Sequence, residues 1–457
     1  MMGKSLGTEG RESLWGKCKE YLREMRGTAT LALPIASGHV GQMLMGWADT
    51  MMVGRLGVVP LAACAFANLV LMVPLIFGFG VMTAVSVRAS LAFGAANDGA
   101  ARRCVGGGWF LGVGLGLGIT ALSLMAMPWL SYLGQPLDVV RECVDYFLFC
   151  GISAVALMVS TASKNYSEAV GRPWVPFLIV MGSVVLNVLL NWILIFGFWV
   201  IPGMGLAGAG LATLVARCVC AGIFVYWTLG GNLAMEWGRL WSVVREFGRE
   251  AGGQLRLGFA VGCQYLAEIS GFSFGSLMLG WLGAEALAAH QIALTCAATT
   301  FMVSLGLSQA ACVRVGQERG AGRLEACRRV AVGGLLMGAS LLGLVGLGLW
   351  LGRFWIAGLF TQESGLVGLA GHLIGVAAVF QVFDSIQVVS SGILRGFEDV
   401  KVPMWAGVAA YWVVAIPVGA VAGFYFEQGA VGVWWGFCAG LAFGAVVLSL
   451  RVLSKFW

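Results

Sequence analysis

The chain has 457 residues, of which 59% are hydrophobic and only 11% are charged, and its formal net charge is +6. Its mean hydropathy is +0.88. Soluble domains contain about 25% charged residues, so this composition leaves too little polar surface for a soluble enzyme, a disordered protein or a nucleic-acid-binding protein. The 12 cysteines are spread through apolar stretches without zinc-like spacing, which argues against a disulfide scaffold or a metal site.

The first 28 residues are polar and lack the short apolar core and cleavage site of a signal peptide. Residues 1–28 are therefore predicted to form an N-terminal tail. Apolar stretches follow, each long enough to cross about 30 Å of hydrocarbon, and backbone groups in lipid must pair within their own segment. They predict twelve membrane-spanning helices, at residues 29–54, 61–85, 105–127, 144–163, 175–197, 204–228, 256–280, 287–311, 330–352, 367–391, 402–425 and 430–451.

The distribution of lysine and arginine predicts the orientation of these helices. Of the 28 basic residues, 24 lie in the N-terminal tail, in or at the edges of the even-numbered loops, and in or at the edge of the C-terminal tail, residues 452–457. The odd-numbered loops hold only Arg55, Arg141 and Arg353, and Arg217 lies inside the sixth span. Positive charge accumulates on the cytoplasmic side of membrane proteins. We therefore expect a multi-pass protein of the cytoplasmic (inner) membrane, with both termini in the cytoplasm and the lipid bilayer as its surroundings.

The chain also repeats itself at a constant offset of 226 residues, without gaps over about 55 positions. The aligned residues include Gly54 with Gly280, Gly80 with Gly306, Arg88 with Arg314, Arg103 with Arg329, and Gly107 with Gly333. This offset spans six helices, an even number, so both halves point the same way, as in the parallel repeats of transporters. The sequence therefore predicts an N-lobe over 29–228, a cytoplasmic connection over 229–255 and a C-lobe over 256–451, with a central cleft.

Three acidic residues lie well inside predicted spans, namely Asp49, Glu268 and Asp384. An ionised acid at mid-membrane costs about 2.5–3.5 kcal/mol on insertion scales, so each must be neutral, paired, or facing water or a cation. None of the three aligns with another acid in the repeat. Function is expected where a chain departs from its own pattern. The three acids are thus candidate sites for protons or cations, although a structural hydrogen-bonding role is the alternative for each.

Other polar and aromatic residues also lie inside predicted spans. Asn187 and Asn191 are one helical turn apart on the fifth span, placed to contribute oxygens near Asp49. The alternative for such residues is hydrogen bonding between helices. For Arg217 we expect a structural role in preference to pairing with an acid. The further candidates for a polar or aromatic cleft lining are Gln42, Trp47, Gln264, Phe380 and Gln381.

Several longer motifs resemble one transporter family. They are Leu31-Ala32-Leu33-Pro34, Gly46-Trp47-Ala48-Asp49-Thr50, Ala288-Ala289-His290-Gln291-Ile292-Ala293, Arg314-Val315-Gly316-Gln317, and Phe383-Asp384-Ser385 with Leu394-Arg395-Gly396 after it. In this order they are similar to the multidrug and toxic compound extrusion (MATE) family, in its NorM-like branch. The resemblance covers nearly the whole chain after residue 28.

The resemblance implies an all-α fold of two six-helix bundles around a V-shaped cleft, working as a monomer. It implies export of cationic, aromatic drugs in exchange for Na⁺ or H⁺, with no cofactor besides that coupling ion and no enzymatic reaction. By motif, Glu268 and Asp384 match the C-lobe cation site of the family, where Na⁺ is one possible ligand. Asp49 matches the polar site of the N-lobe, together with Asn187 and Asn191.

One departure from the family pattern bears on the coupling ion. NorM-like proteins often carry a tyrosine four residues before the acid of the tenth span, and this chain has Phe380 there. Loss of that hydroxyl favours H⁺, or Na⁺ bound with a water molecule. A flippase or exporter of a lipid-linked or other metabolite is the alternative function, although an anionic substrate would favour basic residues at mid-membrane, where the spans hold only Arg217.

Overall fold

The computed structural model describes residues 6–199, 202–230 and 240–456, and for residues 6–18 and 240–244 the backbone only. These residues are almost entirely helical. The helices are α1 Leu6–Gly54, α2 Val58–Gly94, α3 Asp98–Ala126, α4 Leu137–Ile152, α5 Ala154–Ala169, α6 Trp174–Phe196, α7 Gly205–Thr228, α8 Leu240–Trp281, α9 Ala284–Gly320, α10 Leu324–Phe360, α11 Ser364–Gly396, α12 Lys401–Val408, α13 Ile416–Ala420 and α14 Gly429–Leu453. A 3₁₀ turn, Met127–Leu133, follows α3, and π-helical turns, Ala409–Ala415 and Val421–Tyr425, flank α13.

Ten segments of the described chain are long and apolar enough to cross a membrane. One of them consists of α4 and α5, which meet at Ser153, and another consists of α12, α13 and the two π-helical turns. Helices α1 and α8, of 49 and 42 residues, supply the other two spans and carry polar N-terminal parts. The all-α fold of twelve membrane helices in two bundles is thus confirmed.

Several helices are longer than the apolar stretches that predicted them. Helix α9 spans Ala284–Gly320 where 287–311 was predicted, and α10 spans Leu324–Phe360 where 330–352 was predicted. Residues 6–28 and 240–255, expected in a tail and in a connection, belong to α1 and α8. Hydropathy marks only the part of a helix that needs lipid, whereas backbone hydrogen bonding continues through charged residues into water. The expected connection also includes residues 231–239, which lie outside the described residues.

The chain forms two compact units. One, here the N-unit, is Ser37–Leu266, and the other, here the C-unit, is the chain up to Ala36 together with Ala267 to the C-terminus. The boundaries fall inside α1 and α8, so the units differ from the predicted lobes 29–228 and 256–451 at these two helices. The reason is packing, because the N-terminal part of each helix contacts helices from the other half of the sequence.

In the N-unit, the N-terminal part of α8 packs on α2 and α3. Glu250 forms an ion pair with Arg88 at 3.1 Å, and Glu246 with Arg103 at 3.3 Å. Further along α8, a Cβ atom on Gly80 of α2 would lie only 2.6 Å from the Cα atom of Gly262. Small residues let membrane helices approach this closely. Glycines and ion pairs together hold the part of α8 up to Leu266 in the N-unit.

In the C-unit, α1 makes the equivalent contacts with α9 and α10. Glu24 forms an ion pair with Arg314, and Glu20 with Arg329 at 3.1 Å. These four residues occupy the repeat positions of Glu250, Arg88, Glu246 and Arg103. Gly306 likewise packs on Ala36, whose Cα atom would lie 2.7 Å from a Cβ atom added to that glycine. The repeat thus conserves both the close helix approach and the ion pairs beside it.

An aspartate in the loop between α11 and α12 forms ion pairs with two basic residues at the C-terminal end of the chain. Asp399 accepts a hydrogen bond from Arg451 at 2.9 Å and forms an ion pair with Lys455 at 2.7 Å. Burial raises the pKa of Asp399, but the hydrogen bonds and charges of Lys455 and Arg451 outweigh it and hold the pKa below its ordinary value. The charged form therefore stabilises the fold above the pKa of an unfolded aspartate, about 3.9, and this contribution is lost as the pH falls through the lower, folded value.

We expect Asp399→Asn to lower the melting temperature at neutral pH by a few degrees, because the two cations lose their counter-charge. The difference from the wild type should shrink as the pH falls below about 3.9, because the wild-type carboxylate loses its charge when the pH passes through its lowered pKa. Thermal unfolding of both proteins in detergent, followed across this pH range, measures the effect. An equal difference at every pH would contradict the charge-based explanation.

Candidate functional site

The N-unit contains a chain of polar side chains that begins at Asp49 of α1. The amide of Asn191 donates to Asp49 Oδ1 at 2.5 Å and to Asn187 Oδ1 at 3.1 Å. The amide of Asn187 approaches Thr213 Oγ1 of α7 at 3.5 Å. Both asparagines are fully buried on α6. The structure therefore brings together the three residues that the sequence groups as the N-lobe polar site, although their function stays a prediction.

Arg217 of α7 lies close to this polar chain. Its Nη1 donates to Ser153 Oγ, at the junction of α4 and α5, at 2.7 Å. The guanidinium also acts electrostatically on the Asp49 carboxylate. Buried charges in membranes occur in pairs or face polar groups. Arg217 is thus a partial counter-charge for Asp49, which agrees with the pairing alternative as well as with a structural role.

The C-unit brings the other two acids together. Asp384 of α11 is only 5% exposed, and Glu268 of α8 is partly buried. Their carboxylates interact electrostatically. These residues are 116 positions apart in the sequence, and only packing of α8 against the rest of the C-unit makes them neighbours. Two negative charges held close together in an apolar place repel each other, so the pair favours a bound cation or proton.

A cluster of aromatic rings lies beside this pair of acids, and one of its members, Tyr411, interacts electrostatically with both carboxylates. Phe272, one turn after Glu268, lies 6.2 Å from Phe380, 5.3 Å from Tyr411 and 5.1 Å from Phe437, measured between ring centroids. Phe380 and Phe437 each contact Trp434. These rings supply a low-dielectric wall, which strengthens every electrostatic interaction of the acids. Their faces also attract organic cations.

Two polar groups beside Asp384 are buried without a hydrogen-bond partner among the described residues. They are both amide atoms of Gln381 and the hydroxyl oxygen of Ser385. Gln381 lies one turn before Asp384 on α11, and Ser385 follows it directly. Buried polar atoms in proteins nearly always have a partner, which can be a water molecule or an ion. Their chemistry therefore fits a hydrated cation or a proton relay at this site.

The other predicted residues, Gln42, Trp47, Gln264 and Phe380, differ in their burial. Gln42 and Trp47 of α1 are exposed, the latter by 43%. Gln264 is buried but belongs to the N-unit, whereas Glu268, one turn later, belongs to the C-unit. Phe380 is buried in the aromatic cluster, where it has no oxygen to offer a cation. The contribution of Gln42, Trp47 and Gln264 to a binding surface stays a prediction.

Sequence reasoning missed three aromatic residues of the C-unit site: Tyr411, Trp434 and Phe437. They come from the eleventh and twelfth spans, where no acid draws attention to them. Tyr411 belongs to the π-helical turn Ala409–Ala415, a distortion that is often found at functional sites. The sequence gives no sign of this turn. Trp434 also contacts His290, which shares a hydrogen bond of 2.8 Å with Ser276.

Comparison with known proteins agrees with this architecture. The MatE family model matches residues 34–193 and 261–421, so each half of the repeat carries one match. The probable multidrug resistance protein NorM of Mesorhizobium japonicum is 33% identical over 98% of this chain and 96% of its own length. The multidrug resistance protein NorM of Burkholderia vietnamiensis is 34% identical over 94% of this chain and 93% of its own length.

Solved structures have the same fold at lower sequence identity. The eukaryotic MATE transporter AtDTX14 superposes with a TM-score of 0.82 at 21% identity, over 95% of this chain and 96% of its own. The outward-facing conformation of a multidrug resistance MATE transporter of the MOP superfamily gives a TM-score of 0.84 at 19% identity, over 94% and 96% of the two chains. On the family match, the long relatives and the shared fold, this chain belongs to the MATE family of membrane transporters.

Proposed function

We propose that the protein is a secondary antiporter that exports cationic, aromatic compounds in exchange for H⁺. The observation that carries this proposal is the electrostatic pair of the buried Asp384 and the partly buried Glu268, beside a cluster of aromatic rings in the C-unit. Membership of a family whose relatives are named multidrug resistance proteins supports it. We further propose that the chain works as a monomer in the cytoplasmic membrane, with both termini in the cytoplasm.

Coupling follows from the electrostatics of the acid pair. With no cation bound, two carboxylates beside each other would hold negative charge in an apolar place, at high energetic cost. Binding a proton removes one of these charges. A protein conformation that exposes the pair to the low-pH side of the membrane therefore takes up a proton, and one that exposes it to the cytoplasm releases it. Antiport results when drug binding and protonation favour opposite conformations.

The choice of H⁺ over Na⁺ depends on which oxygens surround the acids. Na⁺ is a hard cation and prefers several oxygen ligands. Besides the two carboxylates, the side chains around Asp384 offer the amide oxygen of Gln381 and the hydroxyl of Ser385, whereas Phe380 offers none. A proton needs only one carboxylate and a hydrogen-bond acceptor. The C-unit site therefore meets the requirements for binding a proton more readily than those for binding Na⁺.

The experiment that tests the proposal is ethidium transport into or out of proteoliposomes that contain the purified protein. A pH gradient and a Na⁺ gradient are imposed separately, with protein-free liposomes as the control. We expect dye to move against its own gradient when the pH gradient is imposed. Movement driven by Na⁺ alone would replace H⁺ by Na⁺ in the proposal. Absence of movement under both gradients would contradict export of this dye class and favour a lipid-linked or metabolite substrate.

Substituting Phe380 with tyrosine tests the ion selectivity of the same site. Phe380 lies one turn before Asp384 on α11, and its ring packs on Phe272 and Trp434. We expect Phe380→Tyr to gain stimulation of dye transport by Na⁺, because the site then has a further oxygen ligand. Transport under a Na⁺ gradient is compared with the wild type and with Phe274→Tyr, whose ring packs on Trp281 and Trp412 away from the acids. Equal Na⁺ stimulation in all three would contradict this explanation.

A further inference from the structure

A polar cavity of about 390 Å³ lies in the C-unit. Its lining is mostly charged, whereas the site beside Asp384 is mostly aromatic. The N-terminal part of α1, the end of α9 and the beginning of α10 surround the cavity. Its charged lining consists of Arg23, Glu24, Arg314, Glu318, Arg323 and Arg329. A water molecule occupies about 30 Å³ in the liquid, so the cavity has room for a ligand of several heavy atoms. The distribution of lysine and arginine predicts that this end of the C-unit faces the cytoplasm.

Positive charge and hydrogen-bond donors are in excess around the cavity. Besides the Glu24–Arg314 pair, Arg323 binds Glu318 at 2.6 Å and Arg329 binds Glu20 at 3.1 Å. The cavity thus has four lining guanidinium groups but only three carboxylates paired with them, those of Glu20, Glu24 and Glu318. Each guanidinium has five N–H donors.

Two of those donors are buried without a hydrogen-bond partner in the part of the chain that the structure describes, namely the Nε atoms of Arg314 and Arg329. Arg323 is by contrast largely exposed, at 65% of its side chain, and can turn towards a ligand. Guanidinium groups bind phosphate through paired hydrogen bonds. The cavity is therefore lined by guanidinium groups, of which the one on Arg323 is free to adjust its position.

The internal repeat shows what is special about this cavity. In the N-unit, Asn97 precedes α3, and its side-chain oxygen accepts a hydrogen bond from the backbone N–H of Ala100 at 2.9 Å. The repeat-equivalent residue before α10 is Arg323, whose side chain makes no such cap. Ala326, equivalent to Ala100, lines the arginine cavity. At the N-terminus of α10, the C-unit thus carries a hydrogen-bond donor, Arg323, where the N-unit carries an acceptor, Asn97, before α3.

An acceptor from outside the chain would complete this arrangement. The N-terminus of a helix carries unpaired N–H groups and a partial positive charge, and it attracts anions. In the cavity, that helix end and the arginine side chains face the same space. Basic pockets on the cytoplasmic side of membrane proteins bind phosphorylated lipid headgroups. We propose that the arginine cavity binds a phosphate group, either of a phospholipid headgroup or of a free phosphate ion.

The test uses the purified full-length protein and the variant Arg323→Asn, which installs the residue that the N-unit carries at this position. Binding of radiolabelled inorganic phosphate is measured by equilibrium dialysis at constant ionic strength. Retention of phosphatidylglycerol is measured by native mass spectrometry after reconstitution in phosphatidylcholine vesicles with and without that lipid. Arg329→Gln serves as a second variant, in case the first does not fold. Arg103→Gln, at the repeat position of Arg329 in the N-unit, is the matched control.

We expect the wild type to bind one phosphate group, and both cavity variants to bind it about tenfold more weakly, as for loss of one charge-assisted hydrogen bond. Arg103→Gln should bind like the wild type. Weaker binding of inorganic phosphate identifies the free ion as a ligand, and loss of phosphatidylglycerol retention alone identifies the headgroup. Binding of neither probe, or equal losses in Arg103→Gln, would overturn the proposal and leave the arginines as ion-pair partners of α1.

Discussion

Replacing Asp384 with asparagine is expected to abolish accumulation of dye against its gradient in proteoliposomes. Asparagine keeps the size of the side chain but cannot take up a proton. When one proton exchanges for one drug cation, a tenfold proton gradient supports a dye gradient of about tenfold. Without the titrating carboxylate, protonation no longer distinguishes the two conformations, and the dye ratio should fall to about one. Glu268→Gln should have the same direction of effect, because it removes the neighbouring charge that makes protonation favourable.

The control for this result is an acid outside both sites. Asp138, in the first turn of α4, is exposed, and Asp138→Asn should accumulate dye like the wild type. All variants are matched for the amount of reconstituted protein and for melting temperature. Accumulation that survives in both Asp384→Asn and Glu268→Gln would make the C-unit acids structural. The coupling group would then be sought at Asp49, with Asp49→Asn as the next variant.

Introducing valine at Gly80 is expected to remove most of the folded protein. A Cβ atom at this position would lie 2.6 Å from the Cα atom of Gly262 and 2.7 Å from its nitrogen atom. Both atoms belong to the backbone, so no rotamer change relieves the overlap, and α2 and α8 would have to separate. Overpacking of a helix contact costs about 1–3 kcal/mol or more. Gly306→Val, at the repeat-equivalent position in the C-unit, should be as damaging, because Ala36 lies equally close.

Gly118→Val is the matched control for these two variants. This glycine also lies in the middle of a membrane helix, α3, but a Cβ atom added there meets no atom within 4 Å. Its substitution has the same helix-propensity effect without the overlap. Size-exclusion profiles of the detergent extracts and melting temperatures measure the difference. If Gly118→Val is as damaging as Gly80→Val, then the close approach of α2 and α8 does not explain the loss.

The prediction of this fold was possible because lipid imposes strong rules on a sequence. Unbroken apolar stretches must be helices, and the 226-residue offset reveals the duplication of a six-helix bundle. The acids stood out because charge is rare in hydrocarbon. The grouping of Asp49 with Asn187 and Asn191 could also be predicted, because the two asparagines share one face of a helix.

Other features depend on contacts that no local pattern records. Tyr411 and Phe437 enter the C-unit site because a π-helical turn and the packing of α14 bring them there, and both residues look like ordinary apolar helix content in the sequence. The placement of Glu24 beside Arg314 also depends on tertiary packing over 290 positions. Hydropathy interprets the polar beginning of α1 as a tail, because it carries charges and cannot lie in lipid.

The division of α1 between the two units has a consequence for biogenesis and descent. The ribosome synthesises α1 first, but the ion pair of Glu24 can form only after Arg314 has been synthesised. If the two halves arose by copying of a half-length ancestor, each copy carried both partners of the pair now seen as Glu250–Arg88 and Glu24–Arg314. If its first helix packed as now, two copies had to exchange these helices to be complete. The modern chain has the arrangement of such an exchanged pair, joined into one polypeptide.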